Sequence, residues 1–248
     1  MKIATWNVNG IRARAEQFGE WVERDQPDII CLQELKAAPE QVPDSCKLAG
    51  YQTVWHGKKG YSGVSLQVRN GLLDEEAKFG HPEFDFETRV VHAEIGDLVV
   101  ASIYLPNGGK DYDAKLGFLQ SMAAWIDSLH AENRKLLLCG DMNVARADID
   151  VHPKERKKDK VGQRDDERDL FNGIIGNGLI DTQRHLEPDN ENLFTWWAPW
   201  RSLRQRNIGW RIDYILASEV LRPKIQSCKV FPDVGTSDHA PLVLEIET

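Results

Sequence analysis

Several polar residues of this chain stand just behind or just ahead of apolar runs. Asn7 follows Ile3–Trp6, Glu34 follows Ile29–Leu32, and Tyr104 ends Val99–Ile103. Asp141 and Asn143 follow Leu136–Gly140, while Asp238 and His239 precede the last apolar run. If these runs are strands that end at one sheet edge, the polar side chains meet where α/β proteins usually form ligand sites. Glu34, Asp141, Asp213 and Asp238 would then form a carboxylate cluster, whose repulsion must be relieved by protonation or a cation. Oxygen donors without thiolates suit Mg²⁺, with Mn²⁺ as a substitute, rather than zinc. A divalent ion there would clamp a phosphate and stabilise the charge that grows as water attacks it. Asn7, Asn143, Tyr104 and His239 would hydrogen-bond the phosphoryl oxygens. Each residue alone also has an ordinary explanation, since an Asp after a strand commonly caps a turn. Spacing by itself leaves the choice open.

The elements that must position these residues are legible as short runs bounded by turn residues. Strands are expected at Lys2–Asn7, Asp28–Gln33, Gly63–Arg69, Leu98–Tyr104, Lys135–Cys139, Arg211–Ser218 and Leu242–Ile246. Ala15, Phe18, Trp21 and Val22 share one helical face, and Pro27 follows that helix. Leu116, Leu119, Ala123, Ile126 and Leu129 make a second helical stripe, and Leu170, Ile174 and Ile175 a third. Strands often follow strands directly, which suits a mixed-sheet sandwich flanked by helices better than a doubly wound sheet. No repeat or linker divides the chain, so one domain is expected over residues 1–248.

Composition narrows the class. With 41% hydrophobic and 28% charged residues, the 248-residue chain has the balance of a soluble globular protein. No run approaches the roughly 18 apolar residues that a membrane span needs. The N-terminal segment lacks the features of a signal peptide. Cys31, Cys46, Cys139 and Cys228 show no paired metal spacing and read as free thiols, which points to the cytoplasm. The net charge of −8 argues mildly against a nucleic-acid partner. Basic residues nevertheless crowd Lys154–Lys160, and Arg201, Arg204, Arg206 and Arg211 follow in an aromatic-rich stretch. A solvated surface is the default reading of either run.

Five segments decide between these readings. Trp6-Asn7-Val8-Asn9-Gly10, Leu32-Gln33-Glu34, Gly140-Asp141-Met142-Asn143, Arg211-Ile212-Asp213-Tyr214 and Ser237-Asp238-His239-Ala240-Pro241 occur in this order. Together they resemble the exonuclease III and AP endonuclease family of the endonuclease/exonuclease/phosphatase superfamily. The resemblance runs through the whole chain. Gly60–Val64, Tyr104–Asn107 and Asn207–Trp210 favour the DNA-repair branch over the lipid and small-molecule phosphatases of the same superfamily.

The resemblance implies a DNase I-like four-layer α/β sandwich, with two mixed β-sheets packed face to face and flanked by helices. It implies hydrolysis of double-stranded DNA 5′ to abasic sites, with 3′-phosphodiesterase and 3′–5′ exonuclease activity, by a monomer. Glu34 resembles the main metal ligand, with Asn7 and Asp238 beside it and Asp141 and Asn143 also within the metal-binding set. Asp141 resembles the residue that deprotonates or orients water. Asn143 and Tyr104 resemble phosphate-binding groups, and Asp213 the partner that orients His239. Asn9 is Asp in some relatives. Trp196 and Trp210 fall where the family forms a pocket for the extruded abasic sugar. Asn107, Lys110, Trp200 and Arg211 fall among DNA-contacting positions, with Lys110 and Trp200 as candidate wedges beside the lesion.

Overall fold

A computed structural model describes residues 1–73 and 75–247; Asp74 and Thr248 lie outside the described residues. Twelve strands form two six-stranded sheets. In chain order they are β1 (Lys2–Asn7), β2 (Ile29–Gln33), β3 (Tyr51–Lys58), β4 (Tyr61–Arg69), β5 (Lys78–Gly80) and β6 (Val90–Ile95). Then come β7 (Leu98–Tyr104), β8 (Lys135–Asp141), β9 (Leu179–Asp181), β10 (Asp213–Ser218), β11 (Ile225–Val230) and β12 (Leu242–Ile246). The helices are α1 (Ala15–Asp25), α2 (Tyr112–Ala131), α3 (Asp165–Gly176) and the short α4 (Thr182–Leu186). The first sheet runs β11-β12-β1-β2-β4-β3 and the second β5-β6-β7-β8-β10-β9. Each sheet has one parallel pair, β1/β2 and β7/β8, among otherwise antiparallel neighbours.

Alternation along the strands makes the layers. Ile29 and Cys31 of β2 face the core between the sheets, whereas Ile30 and Leu32 face outward. In β8, Leu137 and Cys139 point inward while Leu136 and Leu138 point outward. The outward face of the first sheet is covered by Phe18, Trp21 and Val22 of α1. That of the second is covered by α2 and α3, through Phe118, Leu119, Met122, Phe171 and Ile174. The expected four-layer α/β sandwich is therefore present. Strand side chains have a period of two and both faces of each sheet are covered, so the central strands read as continuous apolar runs.

The structure departs from the sequence reading in adding β3, β5, β6, β9 and β11, and in the placement of several charged side chains. The buried face of α2 is Lys115, Phe118, Leu119, Met122 and Ile126. The stripe through Leu116 and Ala123 is thus rotated, and it leaves a lysine on the buried face. Arg211, expected at the DNA surface, is 0% exposed. Its guanidinium is taken up by Asp150 at 2.7 Å and by both oxygens of Asp181 at 2.9 and 2.7 Å. A guanidinium buried without acidic partners would cost several kcal/mol, so the two aspartates account for its position, and its complete burial keeps it from a phosphate at the surface. Arg204 is also turned inward: it lies over the Trp197 ring and donates to the carbonyls of Pro232 and Ser237. Arg201 and Arg206 remain exposed.

Candidate active site

Strand register brings the site together. Tyr104 lies opposite Asp141 in the β7/β8 pair, and Asp141 lies opposite Asp213 in the β8/β10 pair. Gly140 permits this close approach, because a Cβ there would come within 1.9 Å of the Ile103 carbonyl oxygen. In the first sheet Asn7 is opposite Gln33, and Glu34 follows directly. Asn7 donates to Asp141 Oδ2 at 2.9 Å, so the two sheets are stitched together at the edge where these residues meet. Glu34 has φ +57° and Asn143 φ +50°. Asn tolerates this left-handed region; a Glu there marks strain of the kind that collects at functional sites.

The side chains form one connected network. His239 Nδ1 lies 2.9 and 3.1 Å from the two oxygens of Asp213, and its Nε2 lies 3.8 Å from Asp141 Oδ2. Asp141 Oδ1 accepts from the Asn143 backbone N–H at 2.9 Å. Asn143 Nδ2 donates to the Leu105 carbonyl at 2.9 Å, and Asn107 Nδ2 donates to Asn143 Oδ1 at 3.1 Å. Asp238 accepts from Asn9 Nδ2 at 2.7 Å and from Trp196 Nε1 at 3.0 Å. Glu34 pairs with Lys36 at 2.8 Å, and the same ammonium donates to Asn9 Oδ1 at 2.6 Å.

The electrostatics follow from burial and crowding. Burial pushes the Asp141 carboxyl up to about 7; His239 pulls it down and Asp213 pushes it up. Burial opposes charge on His239, but Asp213, Asp141 and Asp238 overcome it and raise the imidazole to about 10. Burial, with Glu34 and Asp141 adding to it, holds the Tyr104 phenol well above its ordinary value, so Tyr104 is a neutral donor. In Asp238, burial is outweighed by His239, Asn9 and Trp196, and its carboxyl is lowered.

Glu34, Tyr104, Asn107, Asp141, Asn143, Asp238 and His239 all line one cavity of about 550 Å³, walled by Trp196, Trp210, Ile212, Val161 and Lys160. The rings of Trp196 and Trp210 meet edge to face at 5.6 Å. Backbone hydrogen bonds lace the loop around Trp196 to Trp210, Asp238 and Ala240, so wall and catalytic edge form one unit. Asp213 stands behind His239, and Asn7 acts on the cavity through Asp141. Lys110 lies over the Tyr61 ring at 5.9 Å and Trp200 is 59% exposed; both sit outside the cavity.

The expected carboxylate cluster is divided. Asp141 and Asp213 share the His239 imidazole, which carries the compensating charge. Glu34 and Asp238 line the cavity with their own partners. The donors there are carboxylates and amides without sulfur, and Lys36 already places a cation between Glu34 and Asn9. These residues fit a hard divalent cation held by oxygen.

Two residues were missed in the sequence. Lys160 sits 4.3 Å over the Trp210 ring, though its basic run reads as plain surface. Lys115, fully buried, donates to the carbonyls of Asn143 at 2.8 Å and Asn107 at 3.4 Å and pairs with buried Glu167. Its place on an apolar helical stripe was the available signal.

The pattern of the Endonuclease/Exonuclease/phosphatase family matches residues 4–239. The chain belongs to this family. Among curated relatives, the "Exodeoxyribonuclease" of Bacillus subtilis is 36% identical, covering 99% of both chains. An AP endonuclease structure from Archaeoglobus fulgidus superposes with a TM-score of 0.89 at 31% identity, covering 100% of both chains. A Neisseria 3′ phosphatase, solved bound to a product DNA hairpin, superposes with a TM-score of 0.90 at 30% identity, again over 100% of both chains. The two solved structures share this chain's fold over its full length.

Proposed function

We propose that this protein is a DNA-repair nuclease that hydrolyses the backbone of double-stranded DNA 5′ to abasic sites. On this reading it also removes 3′-blocking groups and 3′-terminal nucleotides, and it acts as a single-domain monomer dependent on Mg²⁺, with Mn²⁺ as a substitute. The single observation that carries the reading is the cavity itself. It is lined both by phosphate-handling groups, Tyr104, Asp141, Asn143 and His239, and by the Trp196/Trp210 pair. A sugar without its base is small and costs little to extrude, and its unstacked apolar face suits an aromatic wall. That aromatic wall, together with the repair-enzyme relatives, disfavours a small-molecule or lipid phosphatase. Four free, buried cysteines support action in the reducing cytoplasm, and among the described residues no helix is long and apolar enough to cross a membrane.

The residues divide the work. Glu34, with Asn7 and Asp238, would hold the divalent ion, and Asp141 and Asn143 border it. When bound, such an ion supplies Lewis-acid stabilisation of the phosphoryl charge. Asp141, raised towards neutrality by burial, takes the proton of the attacking water at its carboxylate. His239 is held charged and oriented by Asp213 and donates to the scissile phosphate. Tyr104 and Asn143 donate to the remaining phosphoryl oxygens, which preserves donor geometry where charge builds. Asn107 fixes Asn143, and Lys160 supplies a cation beside the pocket. Lys110 and Trp200 project towards the duplex on either side of the lesion.

The test compares labelled duplexes carrying a tetrahydrofuran abasic analogue, a 3′-phosphate or a recessed 3′-hydroxyl with inositol phosphates. Incision of the abasic duplex in Mg²⁺, stopped by EDTA, is expected. Glu34→Ala should slow it by about a thousandfold or more while the circular dichroism spectrum stays unchanged. Faster turnover of inositol phosphates than of any duplex would overturn the reading.

A further inference from the structure

A second group of metal-ligating side chains lies away from the cavity. His56 near the end of β3, His81 just after β5, and Asp85 in the loop leading to β6 each offer a ligand atom, and all three atoms lie within 4.8 Å of one another. We propose that these residues form a second metal site for a borderline transition-metal ion of the Zn²⁺ class, separate from the oxygen-only catalytic site.

The geometry of the supporting groups carries this. Asp85 Oδ1 accepts from the backbone N–H groups of Arg89 at 2.8 Å and Val90 at 2.9 Å. That fixes the carboxylate and leaves Oδ2 pointing at His56 Nε2, 2.6 Å away. His81 Nδ1 lies 2.9 Å from the Val90 carbonyl oxygen. A carbonyl can only accept, so Nδ1 carries the hydrogen and the Nε2 lone pair is free. Metal-bound histidines characteristically pass their other N–H to a carbonyl or carboxylate in this way. The two imidazole rings stack with centroids 3.8 Å apart, and one nitrogen of each lies within 4.8 Å of an Asp85 oxygen. Two imidazoles and one carboxylate suit Zn²⁺, Co²⁺ or Ni²⁺, whereas Mg²⁺ prefers an all-oxygen shell. His81 is exposed, so an ion can enter from solvent and keep water in its remaining position.

An ion here would also act on the neighbouring loop. Arg89, four residues beyond Asp85, lies over the Tyr104 ring at 5.0 Å and donates to the Tyr104 carbonyl and the Tyr61 hydroxyl. The ion would tie β3 and the end of β5 to the loop that holds Arg89 against Tyr104.

Metal-stripped protein is titrated with Zn²⁺ by calorimetry and with Co²⁺ by visible absorption. Wild type, Glu34→Ala, His81→Asn and His56→Asn are compared, with folding of each checked by circular dichroism. The expected result is one tight equivalent of Zn²⁺ that survives in Glu34→Ala and weakens about a hundredfold or more in His81→Asn and His56→Asn, beyond what loss of a mere outer partner causes. Zn²⁺ should raise the melting temperature of Glu34→Ala but not of Glu34→Ala/His81→Asn. Because His81 is exposed, its replacement leaves the fold intact. Equal affinity and stoichiometry in Glu34→Ala and Glu34→Ala/His81→Asn would overturn the proposal, as would the absence of any Zn²⁺ binding by Glu34→Ala.

Discussion

Replacing Lys115 with Met should loosen the catalytic loops from behind without touching the cavity wall. The Lys115 and Glu167 side chains are both 0% exposed and face each other as an ion pair. Burial outweighs that pairing and lowers the Lys115 ammonium from its ordinary value, so the intact pair adds little net stability. Breaking it is another matter. Lys115→Met leaves Glu167 buried with only the backbone donors of Gly162 at 2.5 Å and Arg164 at 3.0 Å. It also strips a donor from the carbonyls of Asn143 and Asn107. Removing one partner of a buried pair costs about 3–5 kcal/mol. The two remaining donors place this case near 3 kcal/mol, or about 6–12 °C in Tm for a chain of this size. Misplacing Asn143 should lower kcat by roughly tenfold to a hundredfold. Adding Glu167→Gln removes the stranded charge and keeps an oxygen for Gly162 and Arg164, so the double variant should recover about 2 kcal/mol. Urea unfolding followed by tryptophan fluorescence, with kinetics measured well below the midpoint, reads all of these quantities. A single-variant loss under about 1 kcal/mol, or strict additivity in the double, would refute the reasoning.

Arg211→Met should cost about 3–5 kcal/mol of stability, because Asp150 and Asp181 stay buried; duplex affinity of the folded protein, measured by fluorescence anisotropy, should be unaltered. Asp213→Ala and His239→Ala should be non-additive in kcat, with the double within about threefold of His239→Ala alone; losses that multiply would separate the two roles. Trp200→Ala should weaken binding to abasic duplex by about 1–3 kcal/mol and leave undamaged duplex almost unaffected; equal losses on the two duplexes would remove Trp200 as a wedge.

Most interior strands were legible because they are buried on both faces; β6 was missed, its apolar run broken by the half-buried His92 and Glu94. The apolar runs at Lys2–Asn7, Leu98–Tyr104 and Leu242–Ile246 coincide with β1, β7 and β12. Edge strands were not legible. β3 is half-buried along nearly its whole length and carries Gln52, Thr53, His56 and Lys58, so no period stands out. β11 at the opposite edge mixes Gln226, Ser227 and Lys229 in the same way. Strand ends pointed to residues that do line one cavity, but their spacing left the chemistry open, and only the resemblance of the five segments chose among the readings. Arg211 and Lys115 escaped because a charge in a sequence does not show its counter-charge. Asp150, Asp181 and Glu167 lie 61, 30 and 52 positions away, and only folding reveals which cations they neutralise.

The hydrogen bond from Asn7 to Asp141 ties the first sheet to the second at the edge where these residues meet, and β12 closes the first sheet against β1. The order of synthesis therefore matters. While the chain leaves the ribosome, β1 can pair only with β2, and the segment bearing Asp238 and His239 is still unmade when every strand of the second sheet is complete. A nascent chain at that stage can hold a folded second sheet yet lacks the Asp238 carboxylate and the His239 imidazole that line the cavity. The cavity is thus completed only by the segment that leads into the final strand, after both ends of the Asn7–Asp141 link have been made.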